Sequence, residues 1–348
     1  MKNIEYPYKS AISAVAEHSY NWFDILWARF ETFKVLRRER RRTKLIDIRC
    51  LRNSGPTVLE PDDVGLIMVV RNEAKLLPSL LAHYRRLGVS RFVCLDDQSD
   101  DGTRELLLSQ ADVDVWESSV RFKEARRGQY WREMLFGIYG ADRWYLSIDS
   151  DEFLVYENWE SVSIRDVIRK LDDAGETRLA APMLDLYPIA DPASMGAIEL
   201  AALMPWQIAD HFDCSGYRLR RTKRGVSLTG GSRARKFGTG AEMMKFPLLY
   251  WDGSGHLGGS IHRPLPYERN FGPIRGILLH FKFLPNYREK FAEAIADKQH
   301  FNDQVEYRGM MSVIEREGYL DLASDRTIKF ENVEQLIELG FLLPIDLS

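Results

Sequence analysis

The stretch Arg143-Trp-Tyr-Leu-Ser-Ile-Asp-Ser-Asp-Glu-Phe153 joins an apolar segment of strand length to three carboxylates. Asp149, Asp151 and Glu152 directly follow strand-forming residues. Like charges clustered at the end of a buried strand repel each other and are costly to desolvate. A divalent cation would supply the counter-charge, and oxygen ligands at an i, i+2 spacing suit Mg²⁺ or Mn²⁺. A solvated strand-to-loop corner is the alternative, because an Asp-x-Asp pair often occurs by chance.

Upstream of this stretch, apolar segments of strand length alternate with segments of helical periodicity. The apolar segments span residues 64–70, 91–95, 113–116 and 144–148. The helical segments between them span residues 73–87, 103–110 and 124–139. Strands separated by helices of this length indicate βαβ units, and therefore a parallel sheet. We predict an α/β fold with a Rossmann-like, mostly parallel sheet flanked by helices.

Polar side chains follow three of these strands. They are Arg71, Asn72 and Glu73 after the first strand, Asp96 and Asp97 after the second, and Asp149, Asp151 and Glu152 after the fourth. In parallel sheets the ligand site lies beyond the carboxyl ends of the strands. Three separate strand ends that bring carboxylates to one edge are stronger evidence for a site than any single motif.

Composition limits the class of protein. The 348 residues are 45% hydrophobic, which is enough for one large α/β domain with additions or for two smaller domains. The net charge of -3 gives no sign of a nucleic-acid partner. Cys50, Cys94 and Cys214 are far apart, so we expect neither a zinc site nor a disulfide framework, as in a reducing cytoplasm. Without a long apolar span or a signal-peptide pattern, any membrane contact would be peripheral, at the inner face.

The N-terminal region differs from the rest of the chain. Residues 19–36 carry apolar side chains at helical spacing, namely Trp22, Leu26, Phe30 and Phe33. Residues 34–44 then contain seven basic residues and one acid. An aromatic helical face beside a basic cluster is typical of a helix on anionic lipid, so residues 19–44 are a candidate for peripheral membrane contact. A helix packed on the main domain is the preferred alternative, because apolar stripes are most often core.

Beyond residue 153 the pattern is weaker. It predicts a helix over 163–174, a strand over 178–183, a hairpin over 217–229, a short apolar run over 277–283 and a helix over 286–300. Residues 230–238 form a glycine-rich segment with cations in and near it, namely Arg233, Arg235, Lys236 and Lys245.

Four segments resemble, in order, signatures of the family-2-like glycosyltransferases of GT-A fold, in the branch with a DxDEF-type metal motif. They are Val69-Val70-Arg71-Asn72-Glu73, Leu95-Asp96-Asp97-Gln98-Ser99-Asp100-Asp101-Gly102-Thr103, Asp149-Ser150-Asp151-Glu152-Phe153 and Leu278-Leu279-His280-Phe281-Lys282-Phe283. The set is specific for the fold and donor class, not for the sugar or acceptor. We expect a helical extension over 1–60, a GT-A domain over 61–305 and a helical tail over 306–348. The domain would divide into a nucleotide-binding half, 61–153, and an acceptor half, 154–305.

The resemblance implies a metal-dependent, inverting, hexosyltransferase-like enzyme. It would move a sugar from a nucleotide-diphospho sugar, first of all a UDP-sugar, to a glycan or lipid-linked acceptor, as in polysaccharide biosynthesis. Glu73 and Asp96 would contact the base and ribose, with Asp97 nearer the ribose. Arg71 and Asn72 would belong to the same donor site.

The resemblance also implies a metal site, for Mn²⁺ or Mg²⁺, at Asp149, Asp151 and His280. Asp149 would face the ribose or the metal, Asp151 would coordinate the metal that bridges the diphosphate, and His280 would reach it from the C-terminal side. From the residues alone, a core histidine on an apolar strand is the preferred explanation of His280. His262 is a second candidate, and His256, in a glycine loop, is a weaker one.

Sugar transfer also needs charge stabilisation and, with inversion, a general base. The leaving diphosphate would be neutralised by the metal and by cations, for which Arg127 and the pair Arg235 and Lys236 are candidates. A solvated basic surface is the alternative for these cations. Three carboxylates qualify by type as the base, which stays unassigned: Asp185, Glu242 and Asp252.

Two other functions remain open. A sugar nucleotidyltransferase or a sugar-nucleotide hydrolase would use the same sheet and cation, but a nucleotidyltransferase would carry a glycine-rich loop after its first strand. Arg71-Asn72-Glu73-Ala74-Lys75 contains no glycine, which argues against it. A non-catalytic nucleotide- or carbohydrate-binding protein on the same scaffold is the other possibility, and the Asp149 and Asp151 pair argues against it.

Overall fold

The computed structural model describes residues 2–11, 14, 18, 20–39, 46–194, 202–257, 260–299 and 304–345. Within them the strands are β1 (Lys2–Ile4), β2 (Ile48–Cys50), β3 (Gly65–Val70), β4 (Arg91–Asp96), β5 (Val113–Ser118), β6 (Arg143–Ile148), β7 (Glu152–Tyr156), β8 (Arg178–Leu179), β9 (Met183–Asp185), β10 (His211–Asp213), β11 (Tyr217–Thr222), β12 (Gly225–Gly230), β13 (Leu248–Trp251), β14 (Gly276–His280) and β15 (Thr327–Lys329). The α-helices are α1 (Trp22–Glu39), α2 (Leu77–Arg86), α3 (Thr103–Leu108), α4 (Gln129–Tyr139), α5 (Ile164–Asp173), α6 (Gly231–Phe237), α7 (Tyr287–Asp297), α8 (Val305–Glu317) and α9 (Val333–Glu338). Residue 19 and residues 40–44 of the predicted segment 19–44, and residue 300 of the predicted helix 286–300, lie outside the described residues.

Within these residues, the central sheet has seven strands in the order β2-β5-β4-β3-β6-β13-β8. The strands β5, β4, β3 and β6 are mutually parallel. β13 runs antiparallel to both β6 and β8, so β8 points the same way as β6. β2 is also reversed, at the edge beside β5. The predicted α/β fold, a GT-A-type Rossmann-like sheet that is mostly parallel and flanked by helices, is confirmed.

Alternation along β3 explains why helices cover both faces of this sheet. Leu66 and Met68 are fully buried in a core that includes α2, and Ile67 is fully buried in a second core that includes α4. Successive side chains of a strand point to opposite faces. Covering both faces stabilises the fold by roughly 25 cal/mol per Å² of apolar surface removed from water.

Helix α4 begins at Gln129, later than the pattern over 124–139 predicts. Arg126, Arg127 and Gly128 have φ of 51°, 59° and 73°, a left-handed conformation that an α-helix cannot contain. A Cβ at Gly128 would lie 3.0 Å from Val69 Cγ2. The chain therefore turns tightly against the end of β3 before the helix begins.

A second sheet, in the order β7-β14-β9, positions the candidate site. His280, at the end of β14, pairs in register with Glu152 of β7 and with Asp185 of β9. The predicted strand 178–183 is wrong in extent, because the chain contributes β8 to the central sheet and β9 to this one. Pro182 lies between the two strands and has no N–H to donate to a ladder.

The two ends of the described chain meet beside the predicted hairpin, which is confirmed as β11 and β12. β1 pairs with β11, and the Tyr8 N–H donates to the Gly340 carbonyl oxygen over 2.7 Å. The expected helical tail does contain α8 and α9, but β15 lies between them and pairs with β10. No helix in the described ranges is both long and apolar enough to cross a membrane. The predicted domain boundaries stay a prediction.

Candidate active site

The polar segments that follow β3, β4 and β6 lie at one edge of the central sheet. β3 pairs in parallel with both β4 and β6. The segments 71–73, 96–97 and 149–152 therefore leave the sheet at the same edge. The structure brings together the predicted residues of these segments: Arg71, Asn72, Glu73, Asp96, Asp97, Asp149 and Asp151.

Asp149 and Glu152 share a buried lysine. The Lys245 side chain is 3% exposed, and its Nζ lies 2.5 Å from Asp149 Oδ2. Lys245 also forms an ion pair with Glu152, which is 1% exposed. Arg132 Nη2 donates to Asp149 Oδ1 over 2.8 Å. Burial raises the pKa of Asp149, but Lys245 and Arg132 outweigh it and hold that pKa below its usual range.

Two carboxylates of this cluster have counter-charges within the protein, and the divalent cation predicted for the cluster stays a prediction. Lys245 and Arg132 neutralise Asp149 and Glu152. Lys245 reaches them because β13, which begins three residues later, pairs with β6. Asp149 as a metal ligand stays a prediction, and both of its oxygens already accept hydrogen bonds from cations.

Asp151 belongs to a chain of alternating charges. Its Oδ2 lies 3.2 Å from His280 Nε2, and the other ring nitrogen, Nδ1, lies 2.6 Å from Asp185 Oδ1. Arg233 Nε donates to the second oxygen of Asp185 over 2.7 Å. Burial opposes the charged form of His280, but Asp151 and Asp185 outweigh it and raise its pKa to about 9. The same contacts hold the pKa values of Asp151 and Asp185 below the usual range.

The series of charges from Asp151 to Arg233 includes two side chains of types that bind metal ions. Asp151 Oδ2 and His280 Nε2 face each other, while Asp185 fixes Nδ1, as carboxylates do behind metal-bound histidines. No group of three or more His, Cys, Asp or Glu side chains in the described ranges is arranged to hold a metal ion. Two protein ligands nevertheless fit Mn²⁺ or Mg²⁺ at a nucleotide site, because substrate phosphates and water complete the coordination there.

Helix α7 covers the edge of the sheet above the predicted donor residues. Lys290 on this helix pairs with Glu73, and the Asn72 amide donates to Glu293. Asp297, at the end of the helix, lies 3.4 Å from Arg71 Nε. A cavity of about 160 Å³ remains between the helix and the edge, lined among others by Asn72, Glu73, Lys75, Asn286, Lys290 and Glu293.

The two carboxylates after β4 are also paired within the protein. Asp96 is 1% exposed and accepts from Arg104 Nε over 2.7 Å. Asp97 Oδ1 accepts from Arg121 Nε over 3.0 Å, and the same guanidinium binds Asp297 of α7 over 2.7 Å. Burial raises the pKa of Asp97 and that of Glu73 in spite of their cations. Every predicted donor carboxylate thus already has a cationic partner.

The three candidate bases have different surroundings. Asp185 has both oxygens engaged, as described above. Glu242 accepts from Ser227 Oγ over 2.6 Å and pairs with Arg263. Asp252 follows β13, whose end pairs with the beginning of β6, so it lies at the edge opposite Asp149. Burial raises the pKa of Asp252, but its Arg269 partner outweighs this and lowers it to about 2. The structure does not bring Asp252 to the candidate site.

The remaining predicted cations and histidines have the following surroundings. Arg235 donates from Nε and Nη2 to Asp213, over 2.8 Å each, so this carboxylate engages its guanidinium. Arg127 lies in the left-handed turn before α4, and burial lowers its pKa. His262 Nδ1 donates to the Met244 carbonyl oxygen over 3.0 Å, and burial lowers its pKa to about 3. His256 Nδ1 lies 3.3 Å from Glu133.

Sequence reasoning missed the cations that neutralise the site. Arg121, Arg132 and Lys290 were assigned no role, and Lys245 and Arg233 were noted only as part of a basic segment. Arg132 had a detectable signal, because it lies three and four positions before Leu135 and Phe136, on the buried side of α4. Lys245 and Lys290 had no such signal, since each lysine is far in sequence from the carboxylate that it pairs with.

Comparison with known proteins defines no family for this chain. No protein-family model and no curated protein matches the sequence. Among solved structures, TarS of S. aureus is 15% identical with a TM-score of 0.27, over 36% of this chain and 21% of that one. A mannosyltransferase, PcManGT of Pyrobaculum calidifontis, in complex with GDP-Man and Mn²⁺, is 17% identical with a TM-score of 0.26, over 53% of this chain and 47% of that one.

A third solved structure, a 4-diphosphocytidyl-2C-methyl-D-erythritol synthase, is 14% identical with a TM-score of 0.27, over 82% of this chain and 100% of that one. The chain thus spans about a fifth of TarS and about half of the mannosyltransferase. Similarity at this level identifies no activity. The assignment of the α/β fold therefore depends on the strand order of the central sheet.

Proposed function

We propose that the protein is a metal-dependent glycosyltransferase that uses a nucleotide-diphospho sugar. One observation carries the proposal. At the carboxyl edge of a Rossmann-like sheet, Asp151 Oδ2 faces His280 Nε2 at 3.2 Å while Asp185 holds the other ring nitrogen. These are two hard or borderline donors preset for one cation, at the edge where such sheets bind nucleotides.

The metal would act as a Lewis acid on the leaving diphosphate. Around it, the chain's own cations would stabilise the same charge. Burial raises the pKa of Asp151, and Lys282 and Lys290 act against it, so the charges of these two lysines converge on this carboxylate. Such groups act strongly in a site that excludes water. Arg235 is a weaker candidate for this role than the sequence predicted, because Asp213 engages its guanidinium.

Donor binding would require helix α7 to move or to release its contacts. The cavity of about 160 Å³ beneath it is smaller than the roughly 300–1,000 Å³ typical of ligand pockets. Lys290 pairs with Glu73, and Glu293 accepts a hydrogen bond from Asn72. The resemblance assigns both Glu73 and Asn72 to nucleotide binding. The nucleotide would replace these ion pairs with its own hydrogen bonds.

The finer parts of the proposal remain predictions. They are an inverting mechanism, a UDP-sugar donor, a hexosyl group and a glycan or lipid-linked acceptor. Of the candidate bases, Asp252 lies at the opposite edge, while Asp185 and Glu242 each have both oxygens engaged within the protein, so the base stays unassigned. Glu242 would first have to exchange its Arg263 partner for an acceptor hydroxyl.

A non-catalytic nucleotide- or carbohydrate-binding protein is the second candidate. The observation that favours it is the complete pairing of the donor-site carboxylates by Lys290, Arg121 and Arg104. A scaffold that no longer turns over a donor would be free to neutralise its own carboxylates in this way. Consumption of a donor distinguishes the two candidates.

The experiment is a thermal-shift panel of UDP, GDP, CDP and ADP, each with and without Mn²⁺. A ligand present at 100 times its Kd stabilises the native state by about 2.7 kcal/mol. We expect one nucleotide to raise the Tm only with Mn²⁺, and the rise to vanish in Asp151→Asn. Asp252→Asn, at the opposite edge, is the matched control and should respond like the native protein.

A donor-consumption assay with the matching nucleotide sugar completes the test. Release of the nucleoside diphosphate by the native protein, lost in Asp151→Asn and kept in Asp252→Asn, would support the glycosyltransferase. Metal-dependent binding without any consumption of donor, with candidate acceptors present, would favour the binding protein. A nucleotide response that is unchanged in Asp151→Asn would rule out the proposed metal site.

A further inference from the structure

Helix α1 packs on the domain through its smaller and more polar side. Ala28, Glu31 and Thr32 are its buried residues. Ala28 lies in a small core with Tyr267 and neighbouring apolar residues, and Thr32 Oγ1 accepts from the Tyr267 N–H over 2.9 Å. The helix therefore packs on the main domain, as the preferred prediction has it. Its apolar stripe, which that prediction takes to be core, does not.

The large apolar side chains of α1 point to solvent. We call them the aromatic face, and their exposed fractions are 60% for Trp22, 63% for Phe23, 50% for Leu26, 45% for Trp27, 52% for Phe30 and 60% for Phe33. Every exposed tryptophan and phenylalanine in the described ranges belongs to this face. At about 100° per residue these positions form one continuous strip, opposite the buried side. A contiguous exposed patch of this kind marks an interaction surface.

Cations border the aromatic face. We call them the basic rim: Arg29, Lys34, Arg37, Arg38 and Lys223. Lys34 Nζ lies 5.1 Å from the centre of the Phe30 ring, and Lys223 Nζ lies 4.0 Å from the centre of the Trp27 ring. Arg37 stands one helical turn after Phe33, at the same side of the helix. The sequence continues with four more basic residues between 40 and 44.

The acidic residues of α1 all engage partners. Asp24 pairs with Arg221 over 3.1 Å, and Glu39 pairs with Arg126. Glu31 is 9% exposed and pairs with Lys34. The outward side of the helix therefore presents aromatic rings and cations, with no acidic residue of the helix among them.

We propose that the aromatic face and the basic rim dock on the anionic surface of a lipid membrane. Aromatic rings insert at the level of the headgroups, while arginine and lysine side chains reach lipid phosphates. A second copy of the chain fits less well, because symmetric pairing of this face would bring two basic rims together without acidic partners. The docking is independent of the proposed catalytic site, so lipid binding tests it separately from donor turnover.

Vesicle flotation of the full chain is the test, with phosphatidylcholine alone and with added phosphatidylglycerol. The face variant is Phe23→Ser with Phe30→Ser, and the rim variant is Arg37→Glu with Arg38→Glu. The matched control is Val58→Ser with Tyr319→Ser, since these side chains are 84% and 54% exposed elsewhere. All six positions are exposed, so circular dichroism and Tm should match the native protein.

We expect the native protein and the control to float with anionic vesicles, and less so at high salt. Both the face and the rim variants should bind at least about tenfold more weakly. Absence of flotation of the native protein, or equal flotation of the face variant, would overturn the proposal. Light scattering adds a second check, because a native dimer that the face variant converts to a monomer would assign the face to a second copy instead.

Discussion

Replacing Lys245 by methionine should destabilise the protein strongly, because it removes a cation shared by two carboxylates. Lys245 is 3% exposed and pairs with Asp149 and with Glu152, which is itself 1% exposed. Methionine keeps most of the apolar stem but leaves Glu152 without its cation. Breaking a buried ion pair from one side costs about 3–5 kcal/mol, since an uncompensated charge remains.

The loss should depend on pH in a defined direction. Burial already raises the pKa of Glu152, and removal of Lys245 would raise it further. A carboxyl group whose folded pKa lies above its unfolded value of about 4.3 is destabilising above that value, and the destabilisation fades as the pH falls. The difference in stability between the variant and the native protein should therefore be largest near pH 8 and smaller near pH 5.

Urea unfolding at both pH values measures this difference. Lys236→Met is the matched control, because its ion pair with Glu317 is partly exposed, at 20% and 31%, and should be worth less than about 1 kcal/mol. Adding Glu152→Gln to Lys245→Met should recover part of the loss, since no buried charge is then left uncompensated. A cost of Lys245→Met no greater than that of Lys236→Met, or one that grows toward pH 5, would refute the reasoning.

Two further predictions concern one glycine and His280. Gly340→Ala should cost well over 2 kcal/mol in urea unfolding, because φ is 79° and the new Cβ would lie 2.0 Å from the Tyr8 carbonyl oxygen. Gly318→Ala, at φ 82° with no atom within 4 Å, should cost only about 1 kcal/mol, and equal costs would contradict this. In the metal-free protein, the stabilisation from His280 is fully present below its unfolded pKa of about 6.5 and is lost as the pH rises through the folded pKa of about 9. His280→Gln should therefore flatten the decline of Tm over this range, and a native-like decline in the variant would count against the Asp151 and Asp185 contacts.

Local sequence patterns were sufficient for the framework of the fold. The strands β3, β4 and β6 each begin and end within about one residue of the predicted segment. An apolar run of strand length and the polar residue that ends it are local signals, which do not depend on the partner strand. The same pattern placed Glu73, Asp96 and Asp149 at one edge, because parallel strands all end on the same side.

Local backbone geometry limited the accuracy of element boundaries. Helical periodicity over 124–139 does not reveal that Gly128 has a positive φ, so α4 begins later than predicted. The apolar run 178–183 does not reveal that its two ends join different sheets on either side of Pro182. In both cases the sequence shows which residues are apolar, while contacts with distant strands decide the path of the chain.

The charges of the site were decided by tertiary structure. The sequence placed Asp149, Asp151 and Glu152 together, and the metal prediction depended on the other strand ends and the family resemblance rather than on this spacing alone. Lys245 is 96 positions away from Asp149, so only the pairing of β13 with β6 shows that a lysine neutralises this part of the cluster. The cover of α7 over Glu73 is likewise a long-range contact, formed through Lys290.

The N-terminal helix shows the same division between the two levels of structure. Its sequence determined an amphipathic helix, because Trp22, Phe30 and Phe33 recur at helical spacing. The apolar stripe of a helix normally turns inward, since burial of apolar surface stabilises the fold. Here the side with Ala28 and Thr32 packs against the domain, so the apolar stripe faces outward. The periodicity of the sequence shows that the helix has an apolar and a polar side. Which side is buried depends on the surface against which the helix packs.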